Sequence, residues 1–184
     1  MSTGTLATIV VLAALVVVLA ALAASLWMRS RRLRERFGPE YERTVEGSGG
    51  RMAGERELRA REKRHDALEI RPLPAGARDR YAGEWQGVQE EFVDRPRDAV
   101  HDADRLVISL MQERGYPTEG FEQQARDLSV EHGSTLEHYR SAHEIETLST
   151  SQRATTEQLR NAMVHYRAIF DELLSEGGRA QPAR

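Results

Sequence analysis

From Leu6 to Met28 the chain runs 23 residues without a charge, and 12 of them are Leu, Ile or Val. Few folds can hide so long an apolar run. As an α-helix rising about 1.5 Å per residue it spans about 34 Å, enough to cross a hydrocarbon layer of roughly 30 Å with some tilt. At about −0.4 kcal/mol per Leu, Ile or Val those side chains favour insertion by roughly 5 kcal/mol, and no central Arg or Lys opposes them. Residues 1–28 are therefore expected to form a transmembrane anchor, integral to the bilayer through residues 6–28.

The flanks set a direction. Met1 to Thr5 carries only the α-amino charge, whereas Arg29, Arg31, Arg32, Arg34 and Arg36 follow the apolar run with only Glu35 to offset them. Because Lys and Arg resist translocation, this asymmetry predicts an N-terminus outside and the bulk of the chain in the cytoplasm, at the inner plasma membrane. The five arginines form a membrane-proximal basic collar, each worth about 1 kcal/mol of attraction to an anionic leaflet. A secretory signal carries its positive charge before a shorter apolar core. The run "ALAAS", ending at Ser25, does imitate a cleavage site, so a secreted, processed form is the alternative. No Cys follows the apolar run, which excludes lipoprotein processing.

About 155 residues remain beyond the anchor, enough for one domain with a modest core and a linker. With no Cys at all, neither disulfides nor thiolate metal sites can operate. Residues 1–69 carry 12 basic and 9 acidic groups, net +3, whereas residues 70–176 carry 12 and 20, net −8. An acidic body behind a basic collar is held off an anionic surface. It also lacks the basic face of a nucleic-acid reader, so no nucleic-acid partner is expected.

Beyond the collar, Gly38-Pro39 ends the first helix and Pro39 opens the next, with Glu40 and Glu42 in its first turn. "EGSGG" (Glu46 to Gly50) is a flexible interruption. From Arg51 to Leu68 the apolar residues Met52, Leu58 and Leu68 are too sparse for a stripe, so residues 29–69 read as collar plus solvated helical stalk. "EIRPLP" (Glu69 to Pro74) is extended and marks a boundary. Helical spacing then takes over. Tyr81, Trp85, Val88 and Phe92 form one face, with Trp85 as a core anchor; Val100, Ala103, Val107, Leu110 and Met111 form a second, after Pro96 at a first helical position. "RGYPT" stops that helix through Gly115 and Pro117, with Thr118 able to cap the next, whose Phe121, Ala125 and Leu128 face inward. Ser134 with Glu137, and Thr155 with Gln158, read as capping boxes. The first opens a helix carrying Leu136, Tyr139, Ala142 and His143; the second opens one that buries Leu159, Met163, Tyr166, Phe170 and Leu173 or Leu174. The fold expected is all-α: anchor, stalk, a bundle of about five helices over residues 70–176, and a disordered tail at 177–184.

The stretches "LRERFGPEYERTV", "EKRHDALEIRPL", "RYAGEWQGVQEEFVDRP", "RGYPTEGFEQQARDLSVEH" and "AMVHYRAIFDELL" resemble a family of bacterial, actinobacterial-type single-pass membrane proteins to which no activity is assigned. The resemblance runs from about Leu33 to Leu174 and implies a membrane location. It carries no catalytic residue. "EGSGG" departs from the charged helical text usual at that point.

Reaction signatures are sparse. "HDAD" (His101, Asp102, Asp104) spreads its side chains over different helix faces, "HEIE" at His143 lacks a second His, and no Glu-x-x-His pair exists for a di-iron bundle. No nucleophile elbow or phosphate-cradling loop occurs. Neither metal nor other cofactor is expected. "HYR" occurs twice, at His138-Tyr139-Arg140 and His165-Tyr166-Arg167. Both Tyr read as core residues with a wet hydroxyl end, and both Arg as reaching acidic neighbours. The alternative is a ligand-binding or enzymatic domain with a pocket lined by His138, Tyr139, His143, His165 and Tyr166. The leading expectation is a scaffold domain that meets a protein partner or a second copy of itself.

Overall fold

A computed structural model describes residues 3–176 of the chain. Among the described residues there are eight helices and no strand: α1 (Thr3–Phe37), α2 (Pro39–Gly47), α3 (Arg51–His65), α4 (Ala77–Asp94), α5 (Pro96–Glu113), α6 (Phe121–Leu128), α7 (Leu136–Thr150) and α8 (Thr156–Glu176). The all-α expectation holds, with α4 to α8 as the five helices of the bundle. The tail expected to be disordered lies outside the described residues.

The main core is built by the predicted faces. Tyr81 and Trp85 of α4 meet Val107, Leu110 and Met111 of α5 and Tyr166, Ile169 and Phe170 of α8, with Tyr139 from α7 and Leu128 from α6. Trp85 stacks on Phe170 with ring centroids 4.8 Å apart. Gly115 takes φ +94, and a Cβ there would lie 2.4 Å from the Glu69 carbonyl oxygen. That close approach seats the "RGYP" turn on the extended "EIRPLP" strap, where the Arg71 N–H donates to the Arg114 carbonyl at 2.9 Å.

Residues 39–65 do not form a solvated stalk. α2 and α3 pack against the end of α1, and Leu33, Phe37, Tyr41, Leu58 and Val130 make a second core. Leu58 is fully buried without an apolar stripe of its own, because four segments, the end of α1, α2, α3 and the turn after α6, share one cluster. Gly54 makes the approach possible: a Cβ there would sit 2.7 Å from Val45 Cα. Gly133 does the same for the bundle, since its Cβ would meet the Phe37 carbonyl oxygen at 2.4 Å.

Two predicted caps fail and one holds. Gly120, not Thr118, precedes α6, and the Thr118 carbonyl instead accepts from the Gln124 amide at 3.2 Å. α7 is entered through Thr135, with no side-chain cap. Glu137 has turned away from Ser134 to pair with Arg43 at 3.0 Å. At α8 the Thr155 N–H donates to Gln158 Oε1 at 2.8 Å and the Gln158 N–H to Thr155 Oγ1 at 3.3 Å, the reciprocal box expected.

Candidate functional site

α1 changes character at Ser30. Its stretch from Val11 to Met28 is solvent-exposed, and the Val11–Phe37 segment holds a window of mean hydropathy 2.6, long and apolar enough to cross a membrane. Trp27 is exposed, as an interfacial Trp would be. Ser30, Leu33 and Phe37 are buried in the domain. One unbroken helix thus serves both the apolar segment and the second core.

The collar is less free than its sequence implies. Arg31 pairs with Glu35 at 2.8 Å, Arg32 approaches Glu62 at 3.9 Å, Arg34 reaches Glu42 at 3.5 Å, and Arg36 bonds Glu62 and reaches Asp66 at 3.5 Å. Arg29 alone of the five makes no ion pair among the described residues. Periodicity could not reveal this, because Glu62 and Asp66 come from a helix expected to stand apart.

Three polar clusters tie the elements together. Next to Ser30, the Glu55 carboxylate accepts from Ser30 Oγ at 2.6 Å, Tyr41 OH at 2.9 Å and Arg51 Nε at 2.9 Å. Burial alone would raise this carboxyl, but those bonds hold it below its ordinary range. Further along, the buried Glu40 accepts from Arg61 at 3.0 Å and from two nitrogens of Arg140 at 2.7 and 2.9 Å.

The third cluster lies where α3, the "RGYP" turn, the α6–α7 turn and α8 meet. His132 is fully buried. Its Nδ1 lies 2.9 Å from Glu172 Oε1, and its Nε2 lies 3.2 Å from Tyr116 OH. Tyr116 OH also donates to Glu131 Oε2 at 3.3 Å, and the buried His65 presents Nε2 to the same carboxylate at 3.7 Å. Thr135 donates to Glu172. Burial pushes the Glu172 carboxyl up, but His132 and Thr135 pull it below its usual range. His65 is lowered, first by burial and then by the neighbouring Arg36 and His132 charges, against Glu131 and Asp66. Carboxylate, imidazole and phenol in series can pass polarisation along a chain of hydrogen bonds. These bonds tie α3, the "RGYP" turn, the α6–α7 turn and α8 to one another, the geometry of a lock between elements.

The expected pocket residues are distributed otherwise. Tyr139 and Tyr166 are fully buried, edge to face at 6.5 Å. Their hydroxyls are not wet: Tyr139 donates to Gln124 Oε1 at 2.7 Å and Tyr166 to Asp104 Oδ1 at 2.9 Å. Burial raises both phenols far above their ordinary range and also raises Asp104. His138 and His165 do meet, Nδ1 to Nδ1 at 2.9 Å, but on the outer surface of α7 and α8. His143 stacks on Phe121, centroids 3.7 Å apart. The two described cavities lie elsewhere. One of about 380 Å³ is lined by Arg95 to Asp98 with Ala154, Thr156 and Leu159; another of about 180 Å³ lies between Pro39, Arg43 and Glu137. No three His, Asp or Glu group as a metal site among the described residues.

His65, His132, Tyr116 and Glu172 carry no motif spacing, and the sequence offered no signal for them beyond two turns, "RGYP" and "VEHGST". No family model matches the chain, and neither a curated protein nor a solved structure shows significant similarity to it.

Proposed function

We propose that the chain is a single-pass membrane protein whose apolar helix stays uncleaved, with the N-terminus outside and the helical domain in the cytoplasm serving as a scaffold for protein contacts. The observation that carries this reading is the continuity of α1. The helix that is exposed and apolar from Val11 to Met28 buries one face, Ser30, Leu33 and Phe37, in the second core beyond it. The Arg-rich flank on the domain side favours that orientation.

Such a domain is held close to the bilayer rather than swung on a tether. The Glu55 and Glu40 clusters clasp α1, α2 and α3 to one another and to α7. A partner would meet a surface of fixed height and orientation. The net −8 over residues 70–176 favours a partner with a basic face.

The test is the state of the native protein. Membranes washed with alkaline carbonate should retain the chain in the pellet, with an intact mass that includes residues 1–28. Release into the wash, or a mature N-terminus near Ser25, favours the exported form instead.

A further inference from the structure

The turn between α2 and α3 comes back to the level at which α1 leaves its apolar segment. The Arg51 guanidinium donates to Ser30 Oγ at 2.5 Å and to Glu55 at 2.9 Å. Ser30 is two residues beyond Met28, a rise of only about 3 Å along the helix. Gly49 (φ +73) and Gly50 (φ +143) adopt conformations closed to ordinary side chains, which makes the turn tight. Directly after it, Met52 projects into solvent with 81% of its surface exposed. Arg56, one helical turn on and on the same face, is exposed and has no ionic partner among the described residues, as is Arg29 at the end of the apolar segment.

We propose that this tip, Gly47 to Met52 with Arg56, is a second membrane contact: Met52 enters the interfacial layer and Arg29, Arg51 and Arg56 face lipid phosphates. The inference rests on the reading of α1 as a membrane span, because that span fixes the bilayer beside Ser30. Three independent features select lipid as the occupant. Trp27, exposed and two residues before Arg29, marks the interface level. An apolar side chain flanked by arginines suits an interfacial, not a spanning, segment. Arg29, and Arg51 through its bond to Ser30, lie about 3 and 4.5 Å along the helix from Trp27, within one screening length of roughly 8 Å, with Arg56 one further turn along α3. Glu46, exposed at the end of α2, and Glu55, which accepts from Arg51, are the acidic side chains that work against them.

With two points of contact the domain cannot spin freely about the axis of α1. The loose "GSGG" run, which reads as a linker, thereby acquires a role as the foot of the domain.

The experiment uses the full chain, which has no Cys of its own. Met52→Cys, Val93→Cys and Leu19→Cys are each labelled with a polarity-sensitive fluorophore and reconstituted in vesicles of phosphatidylcholine and phosphatidylglycerol. Val93 is equally exposed, at 82%, but sits where α4 ends, away from α1. The Leu19 and Met52 labels should shift to the blue and be quenched by spin-labelled lipid, while the Val93 label keeps its water spectrum. Arg56→Glu in the Met52→Cys background should return the Met52 label toward the water value. A Met52 label matching Val93 while Leu19 reports lipid overturns the second contact and leaves the span standing. A Leu19 label in water overturns both. An unchanged Met52 spectrum with Arg56→Glu overturns the part assigned to that arginine.

Discussion

Arg140 holds both carboxylate oxygens of Glu40, through bonds of 2.7 and 2.9 Å, across 100 positions of sequence. Glu40 is 5% exposed and Arg61 also reaches it at 3.0 Å. Breaking a buried pair by removing one partner costs about 3–5 kcal/mol where the other charge is left alone, and that is an upper bound for Arg140 because Arg61 still pairs with Glu40. Arg140→Ala should therefore lower the melting temperature of the full chain in detergent by many degrees. The nearby Arg43–Glu137 pair spans the same two helices at 3.0 Å but is exposed on both sides, so Arg43→Ala should cost about 0–1 kcal/mol. Equal losses for the two variants would mean that α2 is not docked as described.

Leu58→Ala separates a folded α3 from a free stalk. A fully buried Leu lost from the second core should cost about 2–5 kcal/mol. On a solvated helix the same change stays within about 0.5 kcal/mol. Circular dichroism melts of the full chain read the difference.

Trp85→Ala should cost about 3–5 kcal/mol, since the indole is 3% exposed and stacked on Phe170. Its Nε1 is buried without a hydrogen-bond partner, so Trp85→Phe should cost much less than the alanine variant. Acrylamide should barely quench the Trp85 emission, read in a Trp27→Phe background. Free quenching would place the indole outside the core.

Acid should loosen the lock through His65. Its folded pKa lies below the unfolded value of about 6.5, with burial as the first cause. Below that value the unfolded chain binds more protons, so this contribution is complete above pH 6.5 and is lost as pH falls. The slope it adds is at most about 1.4 kcal/mol per pH unit. Glu172, also lowered, acts only in the carboxylate range further down. His65→Gln should flatten the stability profile between about pH 6.5 and 5. A variant with an unchanged slope in that window would assign the acid sensitivity to other groups.

Helical periodicity located α4, α5 and α8 because each buries a stripe of its own, as Trp85, Val107 and Phe170 show. It missed the docking of α2 and α3 for a physical reason. Their contribution is two or three apolar side chains, a backbone contact at Gly54, and charges paired with distant residues. No local pattern encodes that Arg140 answers Glu40 or that His132 sits between Tyr116 and Glu172. The twin "HYR" text was legible as two core tyrosines, but not the inward hydrogen bonds of their hydroxyls. Nor did it tell that their histidines meet on the outer surface. Caps followed the same division: Thr155 with Gln158 is a local device and formed, whereas Ser134 lost Glu137 to Arg43.

The central claim is that α1 remains in the membrane with the domain on its cytoplasmic side. Alkaline phosphatase fused after Arg184 and expressed in a bacterial host tests it most directly, because the enzyme is active only when exported. An inactive fusion, retained in the membrane fraction with its apolar segment intact, is the result predicted. An active phosphatase would contradict it, whether the segment had been cleaved or had inserted the other way round.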